Sequence, residues 1–318
     1  MLEEGLFDTV LMDPVREGAD QLCVVSGYAT PTMSSQHLNH IRDELSRQIT
    51  LNLIVGMTRE GVARKYHMGF QALENNQQLG FFSCSYVPSS RPPVHAKVYI
   101  WLREHDPIMA YVGSANYTQT AFFGAQREII QLVEPTQAYE YYERLTHETI
   151  FCHHWEVEES VLITEEDKWV RSLDDTPIDE KPEISGLDSV ICPLVQRNGR
   201  VHSRSGLNWG QRLGRNPNQA YIPVPSDIGN SGFFPDRGTH FTIMTDDGKI
   251  LIGRRAQDNG KAIETPTNNS LLGEYFRQRL GLSNGAVVTD EDLNRYGRRS
   301  VQFFKIDEET YYMDFSQS

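Results

Sequence analysis

The sequence predicts an α/β sandwich around a mixed sheet, followed by a second, mostly-β domain. Three observations carry this. Apolar runs of strand length alternate with helical spacing up to about residue 147. The stretch 155–185 is rich in Glu, Asp and Pro and breaks the pattern. Beyond it, short runs alternate with turn signals around a single helical pattern. The expected division is a first domain over 1–154, an acidic linker over 155–185, and a second domain over 186–318.

Taken in order, residues 21–30 (QLCVVSGYAT) open as a strand and turn at Gly27. Residues 33–48 place Leu38, Ile41 and Leu45 at helical spacing. Residues 51–58 (LNLIVGMT) read as a buried strand, 60–78 as a helix and 81–87 as a strand. Pro88, Pro92 and Pro93 make the next segment a rigid loop. Strands are expected over 94–102, 108–112 and 128–133, and a helix over 136–147. In the second domain, strands are expected over 220–224, 240–245, 249–254 and 301–306. Asp246-Asp247-Gly248 is a hairpin signal. Residues 269–280 read as a helix with an Asn start and Gly281 as its stop.

The chemistry concentrates in 94–128. Alternate side chains of a strand share a face, so His95 and Lys97 are expected to point the same way. Ser114, Asn116 and Glu128 follow at strand ends and turns. An imidazole beside an ammonium, with a hydroxyl, an amide and a carboxylate, suits attack on a phosphate. His95 is the nucleophile, Lys97 and Asn116 bind phosphoryl oxygens, and Glu128 orients the imidazole. Two cationic groups inside an apolar strand would otherwise be costly to bury.

This set resembles the nuclease branch of the phospholipase D superfamily. His95 and Lys97 match His-x-Lys, Gly113-Ser114-Ala115-Asn116 matches Gly-Ser-x-Asn, and Glu128 matches the acidic residue that follows. The familiar motif has an Asp seven residues after the His, and Leu102 stands there; Glu104 and Asp106 lie at a turn nearby. The resemblance implies that the strand end at Ser26–Tyr28 lies near the site. It also implies two histidines per site, one attacking phosphorus and one protonating the leaving oxygen. The chain has one His-x-Lys, which implies a homodimer with the site on its two-fold axis.

The net charge is −13, unevenly spread. Residues 1–175 carry 13 Lys+Arg and 25 Asp+Glu, and residues 176–318 carry 17 and 18. Within 194–270 the balance turns basic, 10 against 6. Residues 197–215 (RNGRVHSRSGLNWGQRLGR) hold five Arg and no acid. A second Arg-bearing segment is 254–269 (RRAQDNGKAIETPTNN). Arg, Asn, Gln and Trp on loops are side chains that read base edges. The expected DNA-facing residues are Arg200, Arg204, Asn208, Trp209, Gln211, Arg212 and Arg215 in the first segment. In the second they are Arg254, Arg255, Gln257, Lys261 and Asn268.

This half resembles the C-terminal domain of NgoFVII-type (NgoFVII/NgoAVII) restriction endonucleases, a B-three-like β-pseudobarrel. The matching stretches are Gly206-Leu207-Asn208-Trp209-Gly210, Ala220-Tyr221-Ile222-Pro223, Phe234-Pro235, and 268–280. The resemblance implies two arms, 204–215 and 254–268, gripping the major groove of double-stranded DNA.

The expected function is a sequence-specific, metal-independent restriction endonuclease acting through a phosphohistidine. Its rivals are a phospholipid or small phosphodiester hydrolase and a non-enzymatic DNA-binding regulator. No cofactor and no metal are expected, since no Asp/Glu/His cluster has metal-site spacing. Cys152-His153-His154 are adjacent and ill placed to converge on one ion. Cys23, Cys84, Cys152 and Cys192 lack Cys-x-x-Cys spacing and suit reduced thiols in a cytoplasmic protein. No signal peptide or membrane span is expected. The resemblance implies a separate ATP-driven motor subunit as a partner. Gly253 to Lys261 is too long for a phosphate-binding loop and Ala262 replaces its Ser/Thr.

Overall fold

The computed structural model describes residues 1–124, 126–164, 184, 186–257 and 260–317. The chain divides into two compact units, Met1–Asp174 and Asp175–Ser318.

The first unit is built on strands β1 (Gln21–Ser26), β2 (Ile49–Val55), β3 (Val62–Ala63), β4 (Gly80–Tyr86), β5 (Lys97–Arg103), β6 (Asp106–Gly113), β7 (Ile130–Val133), β8 (Ile150–Phe151) and β9 (Ile163–Thr164). Seven of them form one sheet in the order β7-β6-β5-β1-β2-β4-β8. The strands β1, β2 and β4 are parallel, and the flanking pairs are antiparallel, so the sheet is mixed. Its central strands are apolar on both faces because helices cover both. On one face Cys23, Val25, Val98, Ile100 and Leu102 pack with Ala138 and Leu145 of helix Pro135–Thr146. Leu102 is fully buried here, where the familiar motif would have an acid. On the other, Trp101 donates from Nε1 to Val10 O at 2.7 Å.

Helix Pro31–Leu45 starts where Thr30 accepts from Met33 N and Pro31 takes the first turn. It stops at Ser46, which has φ 54°. The expected helix over 60–78 is shorter, Arg64–Glu74, because Val62–Ala63 pair with Ile163–Thr164. The described residues of the expected linker, 155–164, therefore carry structure of the first unit. Helix Val157–Ser160 and the buried Val157 and Val161 precede β9. Apart from residue 184, the rest of that stretch lies outside the described residues.

The second unit contains β10 (Ser189–Pro193), β11 (Ile222–Pro223), β12 (His240–Thr245), β13 (Ile250–Ala256), β14 (Ala262–Glu264), β15 (Ser300–Lys305) and β16 (Thr310–Asp314). Their order is β10-β15-β16-β12-β13-β14-β11, and the two ends come back into contact, nearly closing a barrel. Phe234, Phe241, Phe303, Tyr311 and Phe276 fill its core. The Asp246–Gly248 hairpin joins β12 to β13, with Gly248 at φ +81°. Helix Ser270–Arg279 is present, but its start is capped by Asn268, whose Oδ1 accepts from Ser270 N at 3.0 Å. A second helix, Asp290–Tyr296, begins on a Thr289/Asp292 capping box. All four cysteines are buried and free. Among the described residues no helix is long and apolar enough to cross a membrane.

Candidate active site and nucleic-acid interface

Four segments of the first unit converge at the C-terminal ends of β1 and β2. The first is the turn after β1. Ser26 is fully buried and accepts from Tyr117 N at 2.9 Å while donating to Tyr28 O. This ties the end of β1 to the Asn116 turn. The second is 94–96, which precedes β5 rather than belonging to it. Val94 N bonds Gly56 O at 3.1 Å instead of continuing the ladder. His95 therefore does not share a strand face with Lys97, as expected from alternation. It is exposed, and Lys97 Nζ folds back to donate to His95 O at 2.8 Å.

The third segment is the turn Gly113–Asn116. Asn116 Oδ1 accepts from Tyr28 N at 3.1 Å. That use of the oxygen leaves the amide NH2 as what Asn116 can offer a ligand. The turn is anchored from behind. His37 Nε2 faces Leu11 O at 3.1 Å, so it carries the proton, and Nδ1 accepts from Tyr117 OH at 2.7 Å. Burial pushes this imidazole down to about 3, which keeps it neutral. The fourth segment is 127–129, which precedes β7. Glu128 accepts from Ser114 Oγ, and Ser114 Oγ accepts from Ile129 N at 3.0 Å.

Glu128 was expected to orient the imidazole. It bonds Ser114 instead and makes no hydrogen bond or ion pair with His95. Its charge is felt by Lys97, which is 7 % exposed. Burial pushes the Lys97 ammonium down and Glu128 pulls it back up.

Glycines set the spacing. A Cβ at Gly27 would lie 3.1 Å from His95 Cδ2, 3.2 Å from Met57 Cγ and 3.4 Å from Asn116 Oδ1. His95, Met57 and Asn116 thus meet over one bare backbone position, with the Tyr28 ring 6.3 Å from the His95 ring. A Cβ at Gly56 would fall 2.1 Å from Val94 O, and one at Gly113 2.1 Å from Ile129 O. Sequence reasoning passed over Gly56 as part of a buried strand. Its signal is a lone glycine closing an otherwise β-branched and aliphatic run.

In the second unit the first arm is a braced loop. Arg212 Nε donates to Arg204 O at 2.8 Å, and Arg215 lies 4.0 Å over the Trp209 ring while donating to Gln219 Oε1. Arg212 and Arg215 close a turn with Leu213 at its apex and Gly214 at φ +81°. Leu213 is completely exposed at the tip, a residue the sequence reading missed. Arg200, Arg204, Arg212 and Arg215 are exposed. Asn208 is a correction. It is 1 % exposed, and its amide bonds His202 O, Val288 O and Val288 N, so it holds the arm and cannot reach a base. Gln211 spends its NH2 on Pro217 O and Gly285 O.

The described residues of the second arm are not a free loop, since Arg254 to Ala256 end β13 and Ala262–Glu264 form β14. Arg255 is buried and donates to Gly229 O, Gly260 O and Pro235 O, so it too is a tie. Arg254 is half-buried and paired with Glu264 at 3.1 Å. Gln257, at φ 64°, is half-buried, and Lys261 is exposed. Asn268 serves the helix start. Sequence composition identifies polar residue types, but not whether backbone carbonyls already claim them. Among the described residues no group of three or more His, Cys, Asp or Glu side chains is placed to hold a metal ion.

Two family models match the chain. One, the NgoFVII restriction endonuclease N-terminal PLD domain, matches residues 4–159. The other, the NgoFVII C-terminal B3-like DNA-binding domain, matches residues 183–307. Among solved structures, NucT from Helicobacter pylori is similar at 12% identity and TM-score 0.31, over 44% of this chain and 87% of its own. The phospholipase D family member Nuc from Salmonella typhimurium is similar at 15% and 0.34, over 46% and 91%. No curated protein matches.

Proposed function

This chain belongs to the NgoFVII restriction endonuclease family through both of its domains, and on that premise we propose that it cuts specific DNA sites through a phosphohistidine on His95, without a metal ion, in a homodimer. That it is a DNA endonuclease with a phospholipase D-type nuclease domain and a B3-like DNA-binding domain follows from the membership.

The meeting of His95 and Asn116 over Gly27, with the Lys97 ammonium on the His95 carbonyl, is the observation that supports this route most. The imidazole of His95 attacks phosphorus, and the bond to the leaving oxygen breaks. The partner's His95 donates the proton that oxygen needs, since this chain holds one His-x-Lys. It then takes a proton from water, whose oxygen attacks phosphorus and releases the first imidazole. The Lys97 ammonium offsets the charge on the phosphoryl oxygens and the Asn116 NH2 donates to them, in place of a metal ion. Glu128 acts through Ser114, holding the turn that carries Asn116. Cleavage of unmethylated plasmid by the purified protein should therefore proceed at the same rate in EDTA; loss on chelation, restored by magnesium, would sink the route.

The exposed arginines of the first arm are assigned to base reading in the major groove. In the full-length His95→Ala protein, which should bind without cutting, Arg204→Ala or Arg212→Ala should weaken binding to the specific site about ten- to hundredfold. An equal loss on every DNA sequence would reassign the residue to a phosphate.

Any ATP dependence is assigned to a separate motor subunit. Gly260, at φ +60°, packs on the Arg255 guanidinium and leads directly into β14, so Gly260-Lys261 does not open a helix as a phosphate loop does. ATP turnover by the purified chain with specific DNA, abolished by Lys261→Ala, would contradict this.

A further inference from the structure

The first domain is acidic, and most of its described arginines are already engaged. Arg16 faces Asp8, Asp13 and Glu44, while Arg42 faces Asp43. Arg64 and Arg91 lie within 4 Å of Glu158 and Glu148. Arg47 and Arg103 donate to the carbonyls of Val15 and Glu17. Arg59, Arg127 and Arg144 are exposed and have neither kind of partner among the described residues. Arg144 lies on helix Pro135–Thr146. Arg127 lies in the fourth segment of the active site, and Arg59 follows Met57, which borders it.

Arg127 directly precedes Glu128, whose carboxylate is taken by Ser114. Arg59 lies two residues beyond Met57, which touches the Gly27 position beside His95 and whose N–H bonds Gly27 O at 2.9 Å. Its neighbour Glu60 is exposed and forms no ion pair with it. Arg59 and Arg127 are exposed and have no carboxylate partner among the described residues, so both guanidiniums are open to an anion that arrives at the site. They are also the groups best shaped for phosphate oxygens.

We propose that Arg59 and Arg127 bind the DNA phosphodiesters next to the one under attack, and so position the strand on His95. The inference rests on His95 being the centre of attack. On this account the second domain selects the site, and this pair fixes which phosphate of that site lies over the imidazole. The two arginines also offset the local acidity that would repel DNA.

The test uses the full chain on plasmid DNA carrying its cleavage site, with steady-state kinetics at several salt concentrations. Arg59→Gln and Arg127→Gln should each raise KM about fivefold while kcat stays within about twofold. Each should flatten the dependence of log KM on log salt by about 1.8, the loss of one phosphate contact (about 0.9) in each subunit of the dimer. Arg→Lys at either position should restore the slope. An unchanged KM and slope, a loss confined to kcat, or failure of Lys to rescue would overturn the proposal. His95→Ala run in parallel separates the two claims: if it still cuts, the assigned centre is wrong, whatever the arginine variants do.

Discussion

His95→Ala is expected to lower cleavage at least about ten-thousandfold, with the specific DNA site still bound at wild-type affinity. Removing a nucleophile that works as part of a set typically has effects of this order. On the proposed route each variant dimer would lose both roles, attack and leaving-group protonation, because one residue would supply them in the two subunits. Folding should be little affected. The His95 ring is exposed and makes no hydrogen bond among the described residues, and the bond from Lys97 goes to its backbone carbonyl. The measurement is single-turnover cleavage beside a mobility-shift titration. Cutting within a hundredfold of wild type would remove His95 from the chemistry, and loss of binding would mean that the domains do not divide the labour.

The second large effect is expected from Gly56→Ala, about a hundredfold loss of cleavage. The new Cβ would stand 2.1 Å from Val94 O and 2.7 Å from Val94 Cβ. The first is a backbone atom, so no rotamer change relieves the clash. The segment must move away from β2, breaking the Val94 N to Gly56 O bond, and His95 is the next residue. A displacement of about 1 Å at a reacting group costs on the order of a hundredfold. Retained circular dichroism with cleavage reduced in kcat is the expected result. Cleavage within threefold of wild type would show that the close approach at Gly56 does not position the imidazole.

Much of this was legible in the residues. The apolar runs that became β1, β2, β4 and β5 are long, and covering helices on both faces demand that composition. His95-x-Lys97, Gly113–Asn116 and Glu128 stood out because polar groups at the ends of such strands need a reason. Their precise placement was not legible. VHAKVYIWL reads as one strand, but the ladder begins at Lys97 because Val94 is drawn to Gly56. Glu128 likewise stands outside β7, because Ser114 and Ile129 bond across the turn. Those are long-range backbone choices that no local period encodes.

The second domain was harder. The strands β10, β14 and β16 are short, and none carries a clear apolar–polar alternation in its sequence. The capping box at Thr289–Asp292 was readable and was passed over. Asn208 and Arg255 were placed on the DNA for their chemistry, yet each is consumed by carbonyls that only the fold brings near. Arg277, fully buried and donating to five backbone carbonyls, shows the same use of a cation as a tie.

The central claim is a covalent phosphohistidine formed without metal. It is tested most directly by mixing the protein with end-labelled specific DNA in EDTA and quenching with alkaline detergent within a single turnover. The account predicts a labelled protein–DNA adduct that rises and decays with cleavage, survives base, is lost in acid, and is absent from His95→Ala. Cleavage in full without any such adduct at any time, or an adduct that persists in His95→Ala, would contradict it.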